Sequence, residues 1–333
     1  MERLTSVFNH HWRRLIQQDN VIGVGLGYKE TKGRLTDRMS MVVLVKQKLP
    51  EAQLSRAELI PPTILSVETD IIEVGELVAL SRVQKHRPAM PGISIGHYRI
   101  TAGTLGAIVK DANTGQVLIL SNNHVLANTS NGLDGRAKPG DPILQPGPHD
   151  GGGRDDLIAR LERFIPIITL RMAPTCSVAR SVENGANAVL RRIHSAYNVR
   201  FYKKMERENL VDAAVARPIT SDLVTPEILD IGIITETAVA SPGMAVKKSG
   251  RTSGLTTGMV RAINASVKIV MGDLGEAIFT EQIVTTPMAQ PGDSGSLVVD
   301  SNNRAVGLLS AGSQQATVCN SIQNVFRLLN IKF

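Results

Sequence analysis

The chain has 333 residues, a formal net charge of +7 and 42% apolar residues, which suits about two folded domains and excludes a globally disordered chain. Aromatic residues make up only 3%, so the cores must rest on Val, Ile, Leu and Ala, and a base-stacking nucleic-acid module is disfavoured. The basic balance favours acidic partners or surfaces and carries no information on fold. Cys176 and Cys319, the two cysteines, form no C-x-x-C pair, which reads as a reducing compartment and predicts a cytoplasmic protein. No run of about 18 apolar residues occurs, so no transmembrane helix and no membrane partner are expected.

"MERLTSVFNHHWRRLIQQDN" (1–20) lacks the apolar core of a signal peptide and predicts an amphipathic helix, with Leu4, Val7, Phe8, Trp12 and Leu15 on one side. "VIGVGLGYKE" (21–30) and "SMVVLVKQK" (40–48) read as strands, the second a buried one. "PEAQLSRAEL" (50–59) opens on proline and carries helix formers, so a helix is expected there. Residues 62–77 return to strand. "SRVQKHRPAMPGISIGH" (81–97) is basic and proline-containing and reads as a linker. Residues 1–95 are thus expected to form a small α/β domain with its linker.

From about residue 100, short β-rich runs alternate with Gly, Asn, Asp and Pro turns, the pattern of antiparallel barrels or sandwiches. Two helical signals interrupt it. One covers 177–206, and the basic residues Arg191, Arg192, Arg200, Lys203, Lys204 and Arg207 lie in it or just after it. The other is "SIQNVFRLLNI" (321–331), with Ser321 at the N-cap position and Ile322, Val325, Phe326 and Leu329 at helical spacing.

The chemistry concentrates in "QPGDSGSLVV" (290–299). Gly, Asp and Ser are common turn residues, so the loop alone decides nothing. A serine is a poor nucleophile without a general base, and the base needs an orienting acid. His124 is the one histidine at the end of a clean apolar strand, in "QVLILSNNHVLANTS". Taken alone, it reads as a solvated turn residue. Among acids before Ser294, Asp212 in "NLVDAAVARP" lies in an apolar, small-residue stretch, where a carboxylate is costly without partners. The rivals are Asp155 and Asp156, in a Gly-rich turn. The adjacent His10 and His11 do not share a helix face, and no metal site or cofactor is expected.

"PGDSGSLVV", "LSNNHVLA", "VDAAVA" and "VGLLSAGS" together resemble the chymotrypsin/trypsin-like serine peptidases over residues 100–333. The chain as a whole resembles a bacterial group related to the plant Narrow leaf type. The resemblance implies a mainly β fold of two antiparallel six-stranded barrels, 96–218 with a helical insert at 171–208 and 219–333 with a C-terminal helix. It implies a protein- or peptide-cleaving enzyme with His124, Asp212 and Ser294 as triad and the amides of Gly292 and Ser294 as oxyanion donors. Asp293 would be buried and need a cation, Lys248 first and Arg251 second. Ser310 would support Asp212, Ser310, Ala311 and Gly312 would pair with substrate backbone, and Met288, Ala289 and Ala311 would favour an apolar residue before the cut. Asn122 and Asn123 before the histidine, and Ser296 in place of a glycine, depart from the family pattern. Set against this reading are a catalytically silent scaffold and a binder of anionic partners through the basic insert. With no interleaved aromatics, nucleic acid is not the expected partner. The N-terminal unit reads as a packed extra domain with an oligomer contact.

Overall fold

Leu4, Val7 and Leu15 fall on one face of helix α1 (Glu2–Leu15) and are buried, as their spacing predicts. They pack on a sheet of β1 (Val21–Thr31), β2 (Arg34–Val45), β3 (Thr63–Ile64) and β4 (Val67–Glu73), whose order is β1-β2-β4-β3. Met41 and Val43 of β2 are fully buried in that cluster, which is why "MVVLV" is so uniformly apolar. The computed structural model describes residues 2–31, 33–56, 58–75, 81–172, 174, 176–205 and 207–333. Residues 76–77 of the strand expected over 62–77, Ala57 of the helix expected over 50–59, and Glu206 at the end of the helical stretch expected over 177–206 lie outside the described residues.

Two expectations for this unit are corrected. The helix over 50–59 is a single 3-10 turn, Glu51–Gln53, because Leu54 is already extended and Pro61 and Pro62 oppose any later helix. The strand over 62–77 is a hairpin, β3 turning into β4 through Leu65 and Ser66, both at positive φ.

The chain divides into Met1–Leu80 and Ser81–Phe333. The stretch 81–97 is therefore no linker. Ile93 and Ile95 are fully buried, and β5 (Ser94–His97) is a strand of the second unit. The proline and basic residues that suggested a linker precede this apolar alternation and mask it.

The second unit opens with β5, β6 (Gly103–Thr104), β7 (Ala107–Asp111), β8 (Val117–Ser121), helix α2 (Asn123–Leu126), β9 (Pro142–Leu144) and β10 (Leu157–Phe164). The insert holds β11 (Arg171–Met172), α3 (Ser177–Ile193) and β12 (Lys203–Lys204), and β13 (Ala214–Pro218) follows. The helical reading of 177–206 is too long. α3 stops at Ile193, and the Asn187 side chain bonds both polar groups of the Val199 backbone, folding the next segment back along the helix. After the short pair β14 (Glu227–Ile228) and β15 (Gly232–Ile233) come β16 (Ala245–Gly250), β17 (Gly254–Val270), β18 (Glu276–Thr285), β19 (Leu297–Asp300), β20 (Ala305–Gly312), β21 (Thr317–Ser321), α4 (Ile322–Leu329) and β22 (Ile331–Lys332).

The fold is mainly β. Strands β16-β17-β18-β21-β20-β19 form a closed six-stranded barrel. The first half is an eight-stranded sheet, β22-β7-β8-β13-β10-β9-β5-β6, rather than six strands, because the two-residue strands β6 and β22 extend its ends. One core lies within the sheet around Ile95, Ile119 and Ile143, and another within the barrel around Val260, Val298 and Leu309. A third joins Leu118, Leu120 and Val215 of the sheet to Leu297 and Leu308 of the barrel and to Ile322, Val325 and Leu329 of α4. Ser321 precedes α4, but its hydroxyl meets Gln323 Oε1 and caps no backbone amide. Among the described residues no helix is long and apolar enough to cross a membrane.

Candidate active site

His124 stands in α2, where β8 runs out through Ser121 and Asn122. The turn is held by its two asparagines. Asn123, fully buried, exchanges hydrogen bonds with the Ser130 backbone (both 3.0 Å) and donates to Ile165 O at 2.7 Å. Asn122 donates to the Asp212 carbonyl at 2.7 Å. The departures at these two positions therefore satisfy buried backbone groups around the histidine.

Asp212 lies just before β13 and is fully buried. Its Oδ2 meets His124 Nδ1 and accepts the Ser310 hydroxyl at 3.1 Å, and its Oδ1 accepts the His124 amide at 3.1 Å. The Asn320 side chain grips its backbone from the other side, accepting the Asp212 amide at 2.9 Å and donating to its carbonyl at 3.2 Å. Sequence reasoning missed Asn320. Only its polar side chain amid the apolar β21 run "TVCNS" hinted at it. Asp155 is exposed and Asp156 pairs with Lys85, so neither rival acid reaches His124. A second histidine–carboxylate pair, His97 with Asp141, is buried, and the other ring nitrogen of His97 accepts the Arg99 amide.

Burial disfavours a charge on His124, but the Asp212 carboxylate outweighs it and raises the imidazole pKa above its ordinary 6.5. The form that can accept a proton at Nε2 is the neutral one. Any activity using His124 as base is therefore expected to rise with pH through a midpoint above 6.5. A kcat/KM profile with its acid limb at or below 6.5 contradicts this assignment.

Ser294 shares a cleft of about 1160 Å³ with His124, and the cleft is also lined by Met288, Ala289, Ser310, Ala311 and Gly312. The Ser294 hydroxyl donates to the Ser310 carbonyl at 3.3 Å, and among the described residues it makes no hydrogen bond to His124. Met288 is mostly buried in the barrel core and lines the cleft. β19 pairs with β20 only as far as Leu308, which leaves one edge of Ser310–Gly312 without a strand partner among the described residues. The tip of the long β17–β18 hairpin adds Ile269, Met271 and Leu274 to the walls.

Around Ser294, the amides of Asp293, Gly295 and Ser296 donate to Gln290, Leu309 and Asp293 carbonyls. Those of Gly292 and Ser294 meet no acceptor among the described residues. Gly292 sits at φ +100°, which glycine tolerates, and a Cβ there would fall 2.3 Å from Arg251 Nη1. Asp293 is fully buried. It accepts Lys248 Nζ at 2.9 Å, the Ser253 hydroxyl, and the amides of Thr252, Ser253 and Gln290. Arg251, the second candidate cation, instead holds Asp150. Burial pushes the Cys319 thiol up to about 12, which removes it as a rival nucleophile.

Streptogrisin-D of Streptomyces griseus is 35% identical over 99 residues, 28% of this chain and 24% of its own. "Serine protease 2" of Streptomyces fradiae is 39% identical over 80 residues, 24% of this chain and 43% of its own. The chain resembles the chymotrypsin-like serine proteases. A weaker likeness runs along most of its length: Protein NARROW LEAF 1 of Oryza sativa subsp. japonica is 25% identical over 323 residues, 88% of this chain and 51% of that protein. The chain spans between 24% and 51% of the length of these three relatives. No protein-family model matches it. Among solved structures, protease A of Thermobifida fusca is similar with a TM-score of 0.45 and 16% identity, over 73% of this chain and 98% of that one.

Proposed function

We propose that this chain is a serine endopeptidase that cuts polypeptides through Ser294, His124 and Asp212. The observation that carries the reading is a carboxylate-bound histidine and a serine lining one cleft, with two amides of the serine's own loop left without acceptors among the described residues. Ser294 Oγ attacks the scissile carbonyl carbon while His124 Nε2 takes its proton. Asp212 keeps the other ring proton on Nδ1 and stabilises the imidazolium. The tetrahedral oxyanion is held by the Gly292 and Ser294 amides. His124 returns the proton to the leaving amine, and water then releases the acyl-enzyme by the same route. Catalytic hydrogen bonds of this kind often align only when substrate binds. Substrate backbone adds to the free edge at Ser310–Gly312. Met288, Ala289 and Ala311 favour an apolar side chain before the cut.

Labelling by a fluorophosphonate probe tests the reading. The wild type is expected to label at Ser294, and Ser294→Ala not at all. Equal labelling of the two ends the proposal. The Ser294–Ser310 hydrogen bond favours a second reading, a silent scaffold, and a folded wild type that neither labels nor cleaves casein would select it.

A further inference from the structure

Both amides proposed to bind the oxyanion belong to peptide units whose carbonyl is tied to a hydroxyl. The Gly292 N–H shares its peptide plane with the Pro291 carbonyl, which accepts the Thr252 hydroxyl at 2.8 Å. The Ser294 N–H shares its plane with the Asp293 carbonyl, which accepts the Ser296 hydroxyl at 2.6 Å. In a trans peptide the C=O and N–H point in opposite directions within one plane, so holding the oxygen aims the amide. We infer that Thr252 and Ser296 are positioning residues that aim the two oxyanion amides, with Arg251 and Asp150 setting the Thr252 hydroxyl. The inference rests on the peptidase reading above.

The ties around Gly292 are specific. Arg251 Nη1 donates to Thr252 Oγ1 at 3.0 Å. The hydroxyl can only accept that bond, so its own proton goes to Pro291 O. Arg251 is itself clamped by two nitrogens to Asp150, which also accepts the Ser94 hydroxyl, and both partners of the pair are largely buried. The Arg251 amide donates to Thr104 Oγ1 at 3.0 Å, and that hydroxyl donates to the Gly292 carbonyl at 2.9 Å. Both peptide units flanking Gly292 are thus held from outside. They need to be, because a glycine at φ +100° offers little resistance of its own to a peptide flip. The Ser296 amide also reaches Asp293 O at 3.1 Å, a second tie on the same oxygen.

Steady-state cleavage of a chromogenic peptide, with binding of a peptidyl boronate as a tetrahedral-anion mimic, tests the assignment. Losing a whole oxyanion donor costs about 100- to 1,000-fold in kcat, so misaiming one through Thr252→Val is expected to cost about 10- to 100-fold. Ser296→Ala, which keeps the amide tie, is expected to cost about three- to tenfold. KM should move much less than kcat, and boronate affinity should fall in step with kcat. Thr252→Ser, which keeps the hydroxyl, should recover most of the rate. If Thr252→Val does not fold, Ser296→Ala carries the same measurement. Variants that fold, with kcat and boronate affinity unchanged beside an active wild type, overturn this assignment alone. An unlabelled, inactive wild type overturns the peptidase reading and takes this one with it.

Discussion

Asp212→Asn is expected to lower kcat for peptide cleavage by about 10,000-fold while the chain stays folded. The substitution is isosteric, and the backbone of residue 212 keeps its bonds to Asn122 and Asn320. What changes is the partner of His124 Nδ1. A carboxylate can only accept there, which puts the ring proton on Nδ1 and leaves Nε2 free to take the Ser294 proton. An amide nitrogen in the same place selects the wrong tautomer. The carboxylate charge that raises the His124 pKa is lost as well, so the acid limb of the residual activity should move down. A kcat within about tenfold of wild type, with an unchanged melting temperature, would remove Asp212 from the mechanism.

Lys248→Met is expected to destabilise the chain by about 3–5 kcal/mol in urea unfolding at neutral pH. Lys248 and Asp293 are both fully buried, so deleting the ammonium leaves a carboxylate without its cation in the barrel. Burial alone would raise the Asp293 pKa. The Ser253 hydroxyl, the Gln290 amide and Lys248 outweigh it and hold the carboxyl below its ordinary 3.8. Because the folded value lies below the unfolded one, this stabilisation is complete above the unfolded pKa and is lost as pH falls through the folded value. The gap between wild type and Lys248→Met should therefore close in strong acid. Adding Asp293→Asn to Lys248→Met should restore part of the loss. A gap under about 1 kcal/mol at pH 7 would mean that the hydrogen bonds from Ser253 and the three amides suffice without the lysine.

Much of the β framework was legible because its signals are local. Alternating or continuous apolar runs mark β2, β8 and β19, and helical spacing marks α1 and α4. The loop "GDSG" and the resemblance of its surroundings pointed to Ser294, Gly292 and Asp293. His124 stood out only as the end of an apolar strand, and Asp212 only as an isolated charge in one. Other features were hidden by composition. The strand β5 follows a basic stretch with two prolines, and the helical content of 177–206 hides the end of α3 because no nearby residue signals that Asn187 pulls the chain back.

The sequence by itself determined which segments are apolar enough to be buried and which loop carries the serine. Periodicity and turn chemistry act over a few residues, and they suffice for that. Only the tertiary structure decided which polar groups meet: Asn320 with the backbone of Asp212, Lys248 rather than Arg251 with Asp293, and Arg251 with Asp150. These partners lie far apart in the chain. Their choice follows from the requirement that each buried donor and acceptor find a mate once the sheet and the barrel have closed around it.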